Sequence, residues 1–362
     1  MLVVIKKARK NLTERRLRIL NREFFRLAED VRKIKEHSIE NLEYLIDTAV
    51  KNLEKNGFEV YFAKNVREGQ KVVLDFFEDS STVLKAKSMV SHELDLNSAL
   101  SEKGIEVWET DLGELVIQML NERPRHMTMP AIHIKAEEAF KVLGVQDFEG
   151  LKAKVRKLLR EKLARADGGI TGANVISSDG SLFIIENEGN ARLVSALPEK
   201  VMTVTGVEKI VDSFSSAVKV SEVIWKSAGY YSPSYLNVIS GISKSGDIEK
   251  RIIKGLHGPS KHAILFLDNG RMKARDSAFK ETLYCVRCGA CQFSCPSYEA
   301  LNADWGTVYS GGIGAVWNYI TGSESNPFYC LNCGACVETC PLRIDVPEML
   351  RKLKMIKIGK IN

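Results

Sequence analysis

The placement of the cysteines limits what this 362-residue chain can fold into more than any other feature. All eight lie between Cys285 and Cys340, so the preceding 284 residues contain none. A disulfide framework would need an oxidising, secreted setting. The first sixteen residues have neither the longer apolar core nor the small-residue cleavage site of a secretory signal. We therefore expect a cytoplasmic protein whose cysteines bind metal.

The cysteines form two copies of the pattern C-x2-C-x2-C-x3-C-P, at 285–296 and 330–341. This is the run of bacterial two-cluster ferredoxins, in which the fourth cysteine ligates the other cluster. The pattern predicts two 4Fe–4S clusters with crossed ligation, one held by Cys285, Cys288, Cys291 and Cys340 and the other by Cys295, Cys330, Cys333 and Cys336. Zinc is the weaker alternative, because a triple-cysteine run leaves a surplus ligand at a tetrahedral ion.

The 34 residues from Pro296 to Tyr329, which separate the two sets of cysteines, contain apolar stretches such as Gly311–Ile320. Their spacing predicts helices, and so an all-α ferredoxin module. Trp305, Trp317 and Tyr319 fit either a cover over the clusters or the core, and we favour the core. Because each cluster accepts one electron, the pair can relay the two electrons of a substrate oxidation.

The cysteine-free part alternates short β-rich runs with helical patterns. The predicted strands are Phe58–Phe62, Thr82–Lys85, Ile105–Trp108, Ser181–Ile185, Val201–Thr205 and Ala263–Leu267. The predicted helices are Ile39–Lys55, Glu93–Lys103, Leu112–Leu120, Leu151–Ala166 and Val211–Lys226. This alternation predicts an α/β domain with a mostly parallel sheet and ligands at the carboxyl ends of its strands.

Two polar, glycine-rich segments are predicted as loops beside these strands, at Asp167–Asn174 and Glu186–Arg192. Their amides suit a carboxylate or phosphate, and a reading as plain turns built on Gly and Asn fits equally well. Lys85, Lys87 and Ser88 at a strand end have the same two readings, anion binding or solvation. Single histidines beside apolar neighbours favour structural roles, which applies to His92, His126, His133, His257 and His262.

The net charge of +6 is concentrated at the N-terminus, where residues 1–36 contain twelve basic and five acidic side chains. Such a surface suits nucleic acid or an acidic partner. We favour a helical arm with a solvated basic face and no nucleic-acid partner, because Leu17, Leu20, Phe24 and Leu27 recur at helical spacing without an aromatic platform. No apolar run approaches the ~18 residues that a spanning helix needs.

Six segments that precede the cysteine runs occur in a characteristic order. They are Leu84–Val90, Glu109–Glu114, Met129–His133, Gly169–Ala173, Asn187–Leu193 and Leu267–Arg271. With both cysteine runs, this arrangement resembles the iron–sulfur subunit of the bacterial lactate-utilization system, which joins a LUD domain to a ferredoxin module. We accordingly expect a helical arm at 1–56, a LUD domain at 57–275 and a ferredoxin domain at 276–362.

The resemblance implies a LUD domain similar to the superfamily of sugar-phosphate isomerases and CoA transferases. It places ligand loops at Thr171 and at Asn187, Glu188 and Asn190, and we add Lys87 as a binding candidate; no catalytic residue is assigned. It also implies two partners, a CCG-type cysteine-rich subunit and a second LUD-domain subunit, which together oxidise L-lactate to pyruvate. Family members usually continue well beyond the second run, whereas this sequence ends at Asn362, and that extension is a candidate docking segment.

Two hypotheses of function therefore stand beside each other. In the first, the chain is the electron-transfer subunit of an NAD-independent oxidoreductase acting on L-lactate or a related small organic acid. In the second, the LUD domain is a CoA-transferase-like or sugar-phosphate-like binding module with Glu186 or Glu188 as nucleophile, and the clusters have a structural or sensing role. A nucleic-acid role of the basic arm ranks last, because no reader motif accompanies it.

Overall fold

The computed structural model describes residues 2–360, and the side chains from residue 10 onward. Its helices are α1 (Leu2–Ile19), α2 (Arg22–Glu40), α3 (Leu42–Lys55), α4 (Val66–Phe76), α5 (Met89–Glu93), α6 (Leu96–Glu102), α7 (Leu112–Leu120), α8 (Ala136–Leu143), α9 (Phe148–Leu163), α10 (Asn190–Ala196), α11 (Phe214–Ser227), α12 (Arg271–Arg275), α13 (Ala290–Ser294), α14 (Pro296–Leu301), α15 (Gly311–Ile320), α16 (Ala335–Thr339) and α17 (Val346–Lys357). Its strands are β1 (Glu59–Ala63), β2 (Thr82–Lys85), β3 (Glu106–Glu109), β4 (Gly168–Gly172), β5 (Val175–Ser177), β6 (Ser181–Glu186), β7 (Lys200–Gly206), β8 (Ile210–Val211), β9 (Tyr235–Ile239), β10 (Lys244–Ser245), β11 (Ile253–Lys254) and β12 (Lys261–Leu267).

A six-stranded sheet in the order β1-β12-β7-β4-β2-β3 forms the centre of the α/β part. Every pair of neighbours in it is parallel, as the alternation of strands and helices predicts. All its carboxyl ends therefore meet at one edge, where the loops that follow β2, β3 and β4 come together. This edge is the place at which an open α/β sheet binds ligands.

The predicted strand at Ser181–Ile185 exists, but it belongs to a second, four-stranded sheet. That sheet has the order β8-β5-β6-β9, and β6 pairs antiparallel with both of its neighbours. A short antiparallel pair, β10 and β11, completes the strands of the described chain. The second sheet follows β4 directly, so the loop after β6 lies near the edge of the main sheet.

Part of the predicted loop Asp167–Asn174 is in fact β4, an inner strand of the main sheet. The prediction was wrong because glycine disfavours strands by intrinsic propensity, whereas here the packing requires it. A Cβ on Gly169 would lie 2.5 Å from the Val194 carbonyl oxygen, and one on Gly172 would lie 2.7 Å from Ser88 Oγ. The glycines let neighbouring elements approach the sheet closely.

Two predicted helices differ at their ends for local reasons. The helix predicted at Glu93–Lys103 is two helices, because Asp95 adopts a left-handed φ of 44° between α5 and α6. The helix predicted from Val211 begins only at Phe214, since the Ser213 side chain caps α11 by accepting a hydrogen bond from Ser216 N. Val211 itself pairs in β8.

The N-terminal helices pack onto the rest of the molecule. Leu17 is exposed, whereas Phe24 is buried in a core that α2 shares with α11. Among the basic side chains described from residue 10 onward, most of those in the arm face solvent, as expected, but three do not. Arg16 donates to the Thr339 carbonyl at 3.1 Å, Arg32 pairs with Glu281 at 2.7 Å, and Lys35 is buried. The basic face therefore has inward contacts as well as solvated ones.

The C-terminal segment winds through short helices around the cysteines and ends in α17. Trp305 and Trp317 are fully buried, while Tyr319 lies partly exposed at the surface. Trp305 also lines a small cavity among the cysteines, so it serves the core and covers them at once. One hydrophobic core runs from Phe24 in α2 through the second sheet to Leu350 in α17. None of the described helices has both the length and the apolar character that crossing a membrane requires.

Candidate functional site: two cysteine groups and a cavity

The two cysteine runs fold alike. In each, the residue before the second cysteine and the glycine after it are left-handed, with φ from 54° to 77°, at Arg287, Gly289, Asn332 and Gly334. This turn brings the Arg287 amide 3.4 Å from Cys285 Sγ and the Asn332 amide 3.4 Å from Cys330 Sγ. Amides directed at thiolate sulfur stabilise negative charge on it. The short helices α13 and α16 follow, and each fourth cysteine ends one of them in an extended conformation.

The fourth cysteine of each run lies with the first three of the other run. A small cavity of about 20 Å³ is lined by Cys295 together with Cys330, Cys333 and Cys336, and Cys291 also reaches it. Burial and then the nearby Cys288 and Cys285 raise the pKa of Cys340 to about 12. The cysteines therefore gather in two sets of four thiols, which is the donor set that a pair of cubanes needs. Among the described residues, no three His, Cys, Asp or Glu side chains are arranged to hold a single metal ion.

The two groups differ in their surroundings. The group around Cys330 lies near the surface, where Cys333 is exposed and Leu331 is 68% exposed. Around the other group, Arg287 lies over the Trp317 ring at 4.5 Å and the N-terminal helices approach. We call the set with Cys285, Cys288, Cys291 and Cys340 the inner group and the set with Cys295, Cys330, Cys333 and Cys336 the outer group.

A cavity of about 790 Å³ separates the carboxyl edge of the main sheet from the inner group. Its LUD-side wall carries polar side chains, among them Lys87, Asp111, Asn187, Glu188 and Asn190. Its other end reaches Cys285, Arg287 and Cys288. A ligand on the polar wall would therefore share one enclosure with the inner cysteines.

Four of the five predicted binding residues line this cavity. Lys87 Nζ donates to the Thr128 carbonyl at 2.9 Å and lies 3.4 Å from Asp111 Oδ2. Glu188 accepts from Leu112 N at 3.2 Å, and partial burial and the Asp111 carboxylate raise its pKa. The Asn187 side chain accepts from Ser234 N, and the Asn190 amide donates to Thr110 Oγ1.

Thr171 is the exception among the predicted residues, because it lies inside the main sheet rather than on the cavity wall. It is fully buried in β4, and its Oγ1 lies 3.0 Å from Thr203 Oγ1 in the neighbouring β7. Gly172, Ala173 and Asn174, which follow it, line the cavity instead.

Glu186 and Glu188 have different environments. Both Glu186 oxygens are occupied, since they accept from Ala191 N at 2.8 Å, Arg192 N at 2.9 Å and the Asn237 amide at 2.6 Å. Glu186 thereby anchors the start of α10, and three of its roughly four acceptor sites are occupied. Glu188 is exposed and accepts one backbone hydrogen bond, so of the two proposed nucleophiles it is the less engaged.

The other residues singled out in the sequence have structural surroundings. Lys85 is buried in an ion pair with Glu109 at 2.7 Å. His92 contacts Glu114 at 3.0 Å and His133 contacts Glu122 at 2.8 Å. His126 and His262 are buried, and desolvation lowers the pKa of each to about 3.

A buried charge network links the inner group to the LUD part, and sequence reasoning missed it. Glu208 accepts from Arg271 Nε at 2.7 Å with one oxygen and from Arg287 Nη2 at 2.6 Å with the other. Arg271 also forms a bidentate pair with Glu93, and Tyr309 donates to Glu93 at 2.7 Å. The sequence signal was an arginine inside a cysteine run, because its carboxylate partner Glu208 lies 79 positions away.

Comparisons with known proteins agree with this architecture. Residues 46–267 match the LUD domain family, and residues 281–344 match the 4Fe–4S dicluster domain family. A DUF162 family protein of known structure from Deinococcus radiodurans shares 13% identity at a TM-score of 0.33, over 62% of this chain and 98% of that one. That likeness is too distant to support an argument.

Several curated relatives share one name. Lactate utilization protein B of Bacillus subtilis is 35% identical over 337 residues, 88% of this chain and 69% of that one. The protein of that name from Geobacillus is 34% identical over 91% of this chain and 71% of its own length, and that from Lysinibacillus sphaericus is 36% identical over 80% and 62%. The chain therefore belongs to the LUD-domain family, among the lactate utilization B proteins, and carries the dicluster domain that holds two 4Fe–4S clusters.

Proposed function

We propose that this chain is the iron–sulfur electron-transfer subunit of an NAD-independent enzyme that oxidises L-lactate, or a related small hydroxy acid, to the oxo acid. The observation that carries the proposal is the single cavity that contacts both the polar LUD wall and the inner cysteine group. Electron transfer between a substrate and a cluster requires such proximity. When bound, the two clusters supply one-electron acceptance at two adjacent centres.

The residues of the chain have complementary tasks in this proposal. Oxidation of a hydroxy acid breaks one C–H and one O–H bond, forms a C=O bond and releases two electrons and two protons. Lys87, Asn187, Glu188 and Asn190 bind and orient the acid on the LUD wall, and Thr171 positions the end of β4 through Thr203. The raised pKa of Glu188 suits it to take up a released proton.

The proposal also covers the clusters, the domain bounds and the partner subunits. The inner group and the outer group each hold one cluster by crossed ligation within an all-α ferredoxin domain, which we place at 276–362 after a LUD domain at 57–275 and an arm at 1–56. The outer group, whose Cys333 is exposed, would hold the cluster nearer the surface, where it would supply electrons to an acceptor. A CCG-type cysteine-rich subunit and a second LUD-domain subunit complete a cytoplasmic enzyme.

A CoA-transferase-like activity is a second candidate, favoured by one observation. Glu188 is exposed to the cavity and accepts one backbone hydrogen bond, so its carboxylate is available for acyl transfer. Under this alternative, Glu188→Gln abolishes acyl transfer in protein without clusters. Acyl transfer that survives this change removes the alternative.

The main proposal is tested with the complex purified anaerobically from its native host. We expect L-lactate to reduce both clusters, as seen by paramagnetic resonance, only when the partner subunits are present. Replacing Glu188 by glutamine should slow this reduction. The matched control is Leu112→Met, which keeps the backbone amide that donates to Glu188 and should not slow it. A complex that carries both clusters but is reduced by dithionite and by no hydroxy acid contradicts the proposal.

A further inference from the structure

We propose that Lys35 and Lys209 form a binding site for a small carboxylate at the end of the cavity next to the inner group. This inference rests on the proposed function, because the carboxylate is that of the hydroxy acid or its oxo-acid product. Lys35 comes from the N-terminal helix α2, and Lys209 comes from the turn between β7 and β8. Neither residue belongs to the set predicted from the sequence.

Both lysines line the cavity and each has one backbone partner. Lys35 is 4% exposed and donates to the Glu208 carbonyl. Lys209 is half-buried, with the cavity beside it, and donates to the Ala173 carbonyl at 2.5 Å. An ammonium group has three donors, so each lysine keeps hydrogen-bonding capacity for a ligand.

No carboxylate of the described chain forms an ion pair with Lys35 or Lys209. The nearest acidic residue, Glu208, has one oxygen bonded to Arg271 and the other to Arg287. The two arginines pair with the carboxylates of Glu93 and Glu208 and occupy them. The two lysines, one buried and one half-buried, therefore keep positive charge without an acidic partner, which is costly in a site shielded from water.

An anion in the cavity supplies the missing counter-charge. Desolvation lowers the pKa of Lys209 to about 7, in keeping with an ammonium group that lacks an acidic partner. The thiolates of the inner group are a second source of negative charge, and Cys285 is close enough to Lys35 to act on it. Lys209 differs, because its Ala173 partner directly follows β4 on the LUD side. Lys209 is thus the better probe of ligand binding.

The ligand class follows from the two lysines and from the proposed function. Two ammonium groups with spare donors beside one cavity suit a carboxylate. The small 2-hydroxy or 2-oxo acid of the proposed reaction carries that group. Inorganic phosphate, which also has anionic oxygens, serves as the competing probe.

The test measures binding of pyruvate, L-lactate and phosphate to the anaerobic, cluster-loaded chain by calorimetry. Lys209→Met and Lys35→Met should each weaken pyruvate binding roughly 10- to 100-fold, the range for a lost charged hydrogen bond. Lys219→Met is the control, because Lys219 is an exposed lysine of α11 paired with Asp30 at 3.6 Å, and it should bind as the parent does. Lys209→Gln, which keeps a donor but no charge, should lie between parent and Lys209→Met.

A second measurement separates a ligand site from a folding defect. Since Lys209→Met removes an uncompensated buried cation, its ligand-free melting temperature should equal or exceed that of the parent. Unchanged pyruvate binding in both lysine variants overturns the inference, and so does a parent chain that binds phosphate more tightly than pyruvate. A shift of the cluster potentials with unchanged binding also overturns it, because the lysines then only balance the clusters.

Binding and turnover can fail separately. Weakened binding in the lysine variants, together with a complex that oxidises no hydroxy acid, keeps the carboxylate site and removes the proposed function. Unchanged binding in the lysine variants, together with a complex that oxidises a hydroxy acid, removes the carboxylate site and keeps the proposed function.

Discussion

Replacing Arg271 by methionine tests the buried charge network most directly. The Arg271 side chain is fully buried and binds three groups, the Glu93 carboxylate by two nitrogens at 2.8 and 2.9 Å, Glu208 at 2.7 Å and the Asp268 carbonyl at 2.9 Å. Methionine preserves the length of the stem but leaves two carboxylates buried beside an apolar group. Breaking a buried pair in this way costs about 3–5 kcal/mol of unfolding free energy.

The pKa of Glu208 gives an independent magnitude. Despite the opposing effect of desolvation, Arg271 and Arg287 lower this pKa from 4.5 to about 2. At about 1.36 kcal/mol per pKa unit, the shift corresponds to about 3 kcal/mol. A carboxylate with a depressed folded pKa stabilises the protein above its unfolded pKa, and this stabilisation is lost as the pH falls from 4.5 towards 2. The variant, whose Glu208 titrates higher, should show a weaker loss across that window.

The assay is anaerobic urea unfolding, followed by tryptophan fluorescence at pH 7 and at steps down to the acid limit of the clusters. Arg275→Met is the control, since Arg275 lies on the same helix and pairs only with the exposed Glu43 and Asp276. Its cost should stay below about 1 kcal/mol. An Arg271→Met variant no less stable than the control would refute the reasoning. So would an Arg271→Met/Glu93→Gln double variant less stable than Arg271→Met alone.

Two further predictions concern the clusters and the sheet. With the proposed crossed ligation, Cys340→Ser and Cys285→Ser should remove the same paramagnetic signal, and Cys295→Ser should remove the other; a Cys340→Ser spectrum that matches Cys330→Ser instead would show uncrossed ligation. Gly169→Ala should destabilise the protein by about 1–3 kcal/mol in urea unfolding, because its methyl group overpacks against the Val194 carbonyl, whereas Gly246→Ala, with nothing within 4 Å, should be near neutral; equal effects of the two would contradict the close packing at β4.

Local sequence patterns predicted much of the architecture. The strands at 82–85 and 201–205 and the helix at 112–120 follow from hydrophobic spacing, because each is buried in the way its period requires. β4 escaped prediction because its glycines are needed for close approach by Phe77, Ser88 and Val194, which are distant in sequence. Tertiary packing overrode propensity there.

The residues of the candidate site likewise fall into those with a local sequence signal and those without one. The cysteines and the Asn187–Asn190 loop carry local signals, namely a fixed spacing and a polar, glycine-containing turn. Lys35 and Lys209 have no local sequence signal. In the sequence, a lysine on a basic helix or in a turn resembles any solvated lysine, and only the fold places these two beside the cavity. Thr171 was predicted from a loop that is a strand, which is why its side chain lies in the sheet.

The hydrophobic core that extends from α2 through the second sheet to α17 affects how the chain can be divided. The two family matches, 46–267 and 281–344, suggest two separable modules that could each be expressed alone. Yet one packed core contains residues from both sides, namely Phe24, Val220, Trp317 and Leu350. A cut between the matched segments would therefore expose apolar surface on both products. We therefore expect the cavity and the two cysteine groups to fold as one cooperative unit.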